Sequence, residues 1–189
     1  MCEKVDTAIV KIGYSETGKT ETSDLAIGQF QAGSMAIIDN PNSKLIVGWR
    51  EWVSLPELEI PHIKAKLDTG ARTSVLHTSY IEPFKDKNQE KVRFCVHPLQ
   101  RKKKKEIICI ADVSDQRRIV DSGGHPEMRF IIQTSLTIGN LLIPIELSLT
   151  NREQMRFRLL LGRTSMVDYL AVDPAKSYTL GKPTIKKPK

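Results

Sequence analysis

The sequence is poor in the residues that would place it in several large protein classes. It holds three cysteines, Cys2, Cys95 and Cys109, in 189 residues. They are too few and too scattered for a disulfide framework, and their free thiols suit a reducing, cytosolic setting. No apolar run approaches the ~18–20 residues that cross a bilayer as a helix. The opening residues, Met-Cys-Glu-Lys-Val-Asp, lack the apolar core of a secretory signal, so a cytoplasmic protein without a membrane partner is expected. There is no H-E-x-x-H and no C-x-x-C, which removes the two standard zinc spacings. Aromatic residues are scarce, and none interleaves the basic run Arg101-Lys102-Lys103-Lys104-Lys105, as stacking on single-stranded nucleic acid would require.

What the chain has in excess is positive charge, a formal +7. Much of it is local, in the run 101–105 and in the closing Lys186-Lys187-Pro188-Lys189. Such runs are most simply a solvated turn and a tail. Their functional reading is attraction to acidic partners, an acidic peptide ahead of nucleic acid.

Residues 1–44 read as an N-terminal extension, either flexible or adding a strand. Ala8–Ile12 and Met35–Ile38 are short strand candidates. Between them Gly13-Tyr14-Ser15-Glu16-Thr17-Gly18-Lys19-Thr20 matches G-x-x-x-x-G-K-T, the loop that cradles phosphates when a strand precedes it and a helix follows. The following Thr20-Glu21-Thr22-Ser23-Asp24 and Gly28 do not start a helix, and no strand–helix alternation follows. ATP is therefore not expected as a cofactor. Asp39-Asn40-Pro41-Asn42-Ser43 is a linker signal, and residues 45–181 form the expected core domain, with 182–189 as a basic tail.

Strand patterns dominate that core. Leu45–Trp49 reads as its first strand. Leu55-Pro56 and Ile60-Pro61 punctuate a loop, and Glu82–Lys91 reads as a charged loop. Val92, Phe94 and Val96 alternate with polar residues, and Glu106–Ala111 returns after the basic run as the second arm of a hairpin. Arg118–Val120 and Met128–Ile132 flank a tip containing Ser122-Gly123-Gly124. Gly139-Asn140 is a two-residue hairpin signal. It is followed by clean alternation of Leu141, Ile143, Ile145, Leu147 and Leu149. Phe157–Gly162 is a buried strand, Thr164–Leu170 a short helix and Ser177–Leu180 a last strand. Pattern alone gives an all-β sandwich or barrel.

Within this array, Ile63-Lys64-Ala65-Lys66-Leu67 alternates as a half-buried strand and ends in Asp68-Thr69-Gly70-Ala71. Gly70 suits a turn that would strain other residues, and Ala71–His77 reads as a strand turning back on the first. Downstream, Leu159-Leu160-Leu161-Gly162-Arg163 repeats the form of an apolar strand ending at glycine. This pairing resembles the retropepsin-like aspartic peptidases. From Gly48-Trp49-Arg50-Glu51-Trp52 to Tyr178 the chain is similar to a bacterial branch of them called ATP-dependent zinc proteases, associated with RimK-type glutamate ligases.

The resemblance implies a small closed acid-protease-like barrel with one short helix near the C-terminus. Carboxylate-based peptide hydrolysis needs two carboxylates sharing a proton across roughly 3 Å. The chain offers one Asp-Thr-Gly, so the resemblance implies a homodimer with Asp68 from each copy activating water. Thr69 would brace the pair and Gly70 would let the backbone approach the substrate. Ser122, Gly123 and Gly124 would be the flap. Ala71, Gly162 and Arg163 would support the loop. Arg72 stands where the viral enzymes tend to carry acids, so a different pH range is expected. The substrate would be a peptide, with glutamate-rich sequences suggested by the ligase association and the net charge. No metal or other cofactor is expected. Two alternatives stay open. One is a zinc-dependent peptidase, for which Cys95, His97 and Cys109 are the best constellation among His62, His77, His97 and His125. Its geometry depends on whether Cys109 pairs opposite Cys95. The other is a non-catalytic β-barrel that binds acidic peptide or nucleic acid through the 101–105 hairpin.

Overall fold

The computed structural model describes residues 44–99, 106–120, 123–151 and 156–182, together with the backbone of 9–11. The linker, the G-x-x-x-x-G-K-T match, Met35–Ile38 and the basic run 101–105 lie outside the described residues.

Residues 9–11 form β1 (Ile9–Lys11), and the core begins with β2 (Leu45–Gly48) and β3 (Arg50–Leu55). A 3-10 turn at Pro56–Leu58 leads into β4 (Ile60–Leu67), and β5 (Ser74–His77) follows the Asp68 loop. Next come β6 (Tyr80–Asp86), β7 (Gln89–Val96), β8 (Ile107–Asp112) and β9 (Asp115–Val120). The long β10 (Pro126–Ile138) and β11 (Leu141–Thr150) make a hairpin, and β12 (Leu159–Leu161) and β13 (Leu170–Asp173) complete the array. The all-β class is as expected.

Seven strands form one sheet in the order β11-β5-β12-β4-β3-β10-β9, and β10 also pairs with β11. The order thus returns on itself, but the β10–β3 seam is a single paired position, Thr137–Ser54. Closure rests on that one position. A second sheet runs β1-β8-β7-β6, and β13 pairs in parallel with β2. The alternating positions fill the core as their period requires: Ile132, Leu136 and Ile138 from β10 and Ile143, Leu147 and Leu149 from β11 are buried against Ile63, Ala65 and Leu67.

Several elements differ from the sequence expectation. Thr164–Leu170 is not a helix. Arg163–Ser165 makes one 3-10 turn, and turns continue to Tyr169. Gly162 follows β12 directly, and Leu170 already belongs to β13, so the interval is too short to nucleate a stable helix. Ser177–Leu180 is a turn with Tyr178 at φ 55 rather than a strand; the last strand is β13, seven residues earlier in sequence than the expected one. The expected loop at Glu82–Lys91 is the β6–β7 hairpin, closed by Lys87 and Asn88, both in the left-handed region. Its residues are mostly exposed on both faces, which erases the alternation by which strands are recognised. The β5 strand does not turn back on β4, because β12 lies between them.

The C-terminal turn is tied to the start of the core by one carboxylate. Glu51, fully buried, accepts hydrogen bonds from Gly48 N–H at 2.8 Å, Thr179 N–H at 2.9 Å and Thr179 Oγ1 at 2.6 Å. Glu51→Ala leaves these donors unsatisfied and lowers unfolding free energy by about 2–3 kcal/mol. Chemical denaturation checks this, and a midpoint equal to wild type contradicts it.

Candidate functional site

The β4 strand runs through the middle of the seven-stranded sheet. Its neighbour on one side is β12, in parallel register with Leu161 beside Leu67, and on the other side is β3. Ile63, Ala65 and Leu67 point into the core and hold the strand straight to its end. Pairing extends one residue further, since Asp68 N–H donates to Leu161 O at 2.8 Å. The chain then turns sharply. Gly70 N–H donates to Asp68 Oδ1 at 3.2 Å, and Ala71 N–H donates to Asp68 O at 3.2 Å. The aspartate thereby stabilises the turn that displays it. Its side chain keeps 28% of its surface exposed, with Oδ2 at 3.6 Å from Lys66 Nζ.

Gly162 and the 3-10 turn at Arg163–Ser165 brace that turn from below. Arg163 N–H donates to Ala71 O at 2.9 Å, and its Nη1 donates to Thr69 O at 3.1 Å. Thr164 donates to Arg72 O through both its N–H and its Oγ1. Gly162 N–H donates to Ser74 Oγ, which is 2.7 Å from Ser165 Oγ in the buried interior. The backbones meet so closely at Gly162 that a Cβ there would lie 2.5 Å from Arg72 O. Glycine is required at 162 by space.

Gly70 differs. Its backbone is outside the left-handed region, and a Cβ there would meet only Asp68 Oδ1, at 3.4 Å. Within one chain the turn does not demand glycine, contrary to the sequence expectation. Thr69 and Gly70 are both exposed.

The β9–β10 hairpin carries the glycine-rich tip. Gly123 and Gly124 are exposed, Gly124 at φ 83, while Ser122 lies outside the described residues. Sequence reasoning missed Lys66 and the Ser74–Ser165 pair. Lys66 was legible, because it lies two residues before Asp68 on the same strand face. Buried small hydroxyls carry no periodic signal.

Of the candidate metal residues, Cys109 parts from Cys95 and His97. Cys109 pairs with Phe94, whereas Cys95 pairs with Ile108, so the one-residue offset puts the two cysteines on opposite faces. Burial pushes the Cys109 thiol up to about 12, and its Sγ donates to Leu58 O. His62 packs edge-on against Trp52, and His77 is buried. Among the described residues, one group of three or more metal-type donors lies together, and it is Cys95, His97 and Glu106. It sits in the four-stranded sheet, whereas Asp68 follows the seven-stranded one. Among the described residues, that group does not include Asp68.

A β-sheet that returns on itself and an Asp-Thr-Gly turn braced by a Gly-Arg strand end together define a retropepsin-like domain. The chain belongs to the family described as the retropepsin-like aspartic endopeptidase RimB, whose model matches residues 46–183. Proteins named "probable alpha-L-glutamate ligase" are also similar. The one from Desulfotalea psychrophila is 45% identical over 74% of this chain, and the one from Shewanella pealeana is 41% identical over 74% of it. The chain spans only 30–31% of their length. A protein of unknown function from Legionella pneumophila has a similar crystal structure, with a TM-score of 0.62, at 29% identity over 73% of this chain and 99% of that one. No helix among the described residues is long and apolar enough to cross a membrane.

Gly162→Ala is expected to lower unfolding free energy by about 1–3 kcal/mol by forcing apart the two backbones beneath the Asp68 turn. Thermal or chemical denaturation reads this out, and wild-type stability in the variant contradicts the close approach.

Proposed function

We propose that this protein is a homodimeric aspartic peptidase whose dyad consists of Asp68 from each of two copies, carried on a closed retropepsin-type barrel. The observation that carries the reading is the Asp68 turn itself. A partly exposed carboxylate stands at the end of a central strand, on a loop that Arg163 and Thr164 hold by its backbone carbonyls alone. Such rigidity suits a group that must meet its twin across a two-fold axis. It also explains Gly70, for which one chain shows no need: the close approach that excludes a side chain there would come from the second copy or the substrate.

In the dyad one carboxylate is ionised and the other protonated. The ionised member takes a proton from water as the oxygen attacks the peptide carbonyl carbon, and the protonated member gives its proton to the carbonyl oxygen. The tetrahedral intermediate then collapses: the C–N bond breaks, the amine leaves with the proton taken from water, and one hydroxyl of the intermediate returns its proton to the other carboxylate, which restores the dyad. Thr69 braces the pair, and Ala71, Gly162 and Arg163 keep the loop in place. Gly123 and Gly124, exposed at the tip of the β9–β10 hairpin, close over the substrate and exclude water.

The substrate class this reading favours is a glutamate-rich peptide. The name of the related proteins concerns glutamate ligation, and a chain of net charge +7 attracts carboxylates. The protein would act in the cytoplasm. Asp68→Asn keeps the shape of the turn but removes the base. It is expected to cut hydrolysis of a glutamate-rich peptide by about 10²–10⁴-fold or more with the circular dichroism spectrum unchanged. Cleavage at the wild-type rate in that variant overturns the aspartic mechanism.

A further inference from the structure

The β7–β8 ladder opens at its far end in an unusual group of side chains. Its register pairs Cys95 with Ile108 and Val96 with Ile107. One more step in that register brings His97 opposite Glu106, just beyond the ends of the two strands. Cys95 lies two residues before His97 and so shares its face. The pattern thus places a thiol, an imidazole and a carboxylate on one side of the ladder. The ligating atoms of all three lie within 4.8 Å of one another, with His97 Nε2 at 3.7 Å from Glu106 Oε1. His97 Nδ1 is buried and has no hydrogen-bond partner among the described residues. Such a nitrogen carries a desolvation cost that no described residue offsets.

We propose that Cys95, His97 and Glu106 form a binding site for a zinc-class divalent cation, distinct from the Asp68 loop. The chemistry of the set selects the ion. A thiolate and an imidazole favour zinc over magnesium or calcium, and a carboxylate completes three protein ligands of a four-coordinate site. Tetrahedral zinc bonds of about 2.0–2.3 Å hold ligand atoms roughly 3.3–3.8 Å apart. The His97–Glu106 distance already meets that spacing, and the Glu106 side chain is half exposed and free to swing. On binding, Cys95 gives its proton to solvent as the metal–sulfur bond forms, and no electron changes hands. The thiolate and carboxylate together match the charge of the ion. Bound there, the cation joins the two strands where their hydrogen bonding stops, at the root of the lysine-rich segment 101–105. It lies on a different sheet from the strand that ends in Asp68.

Cobalt(II) tests the site without any assay of activity. The full chain, stripped with a chelator under reducing conditions, is titrated with the metal. One equivalent is expected to bind, with a near-ultraviolet thiolate-to-cobalt band and the visible bands of four-coordinate cobalt, and zinc is expected to displace it. Cys95→Ser loses the near-ultraviolet band, while Cys2→Ser and Asp68→Asn keep it. Where Cys95→Ser fails to fold, Glu106→Gln decides, because its side chain is half exposed and its loss leaves the strands intact; weakened cobalt binding is expected. The absence of a saturable band in wild type overturns the site. So does a band that survives Cys95→Ser, or wild-type cobalt affinity in folded Glu106→Gln. Because Asp68→Asn leaves this readout untouched, the site and the peptidase reading fail independently.

Discussion

The end of β12 and the chain that leaves the Asp68 turn approach each other with no room for a side chain between them. At Gly162 the two backbones stand nearer than any side chain permits. Everything at the candidate site follows from that approach. It allows β12 to lie between β4 and β5, parallel to one and antiparallel to the other. It brings the N–H groups of Arg163 and Thr164 to the carbonyls of Ala71 and Arg72. It also lets the Arg163 guanidinium reach Thr69 O and Gly70 O. The loop is held by main-chain acceptors, so its side chains remain available for chemistry.

The burial beneath the loop is polar as well as apolar. Ser74 and Ser165 meet in the interior, Ser148 donates to Ser74 O, and Gly162 N–H donates to Ser74 Oγ. A chain of short, satisfied hydrogen bonds fixes relative positions more narrowly than apolar contact, because each bond has a direction. Glu51 does the same at the start of β3, collecting donors from β2 and the C-terminal turn. The catalytic reading needs such rigidity, since a dyad assembled from two copies tolerates little wander in either aspartate.

The sequence made some of this legible and hid the rest for physical reasons. Strands with one buried face announce themselves by alternation, as Val92, Phe94 and Val96 do, and the Asp68 turn stood out because such a run ended at it. The role of Arg163 came from family resemblance, not from pattern. β6 was invisible because its side chains are largely exposed on both sides, and Lys87 in a left-handed turn carries no signal. A helix at Thr164–Leu170 was suggested by local composition, but strands on both sides leave it no room. The Cys95–His97–Cys109 alternative turned on a one-residue register that no sequence displays. The ladder set Cys109 on the other face and put Glu106 in its place.

The central claim is that one chain supplies half of a site. Sedimentation velocity of the wild-type protein over a wide concentration range, with and without a glutamate-rich peptide, tests it most directly. The account predicts a reversible monomer–dimer equilibrium that peptide shifts toward the dimer, because only the dimer holds both carboxylates. A monomer at every concentration, even with saturating peptide, contradicts it, since one aspartate then stands where two are needed.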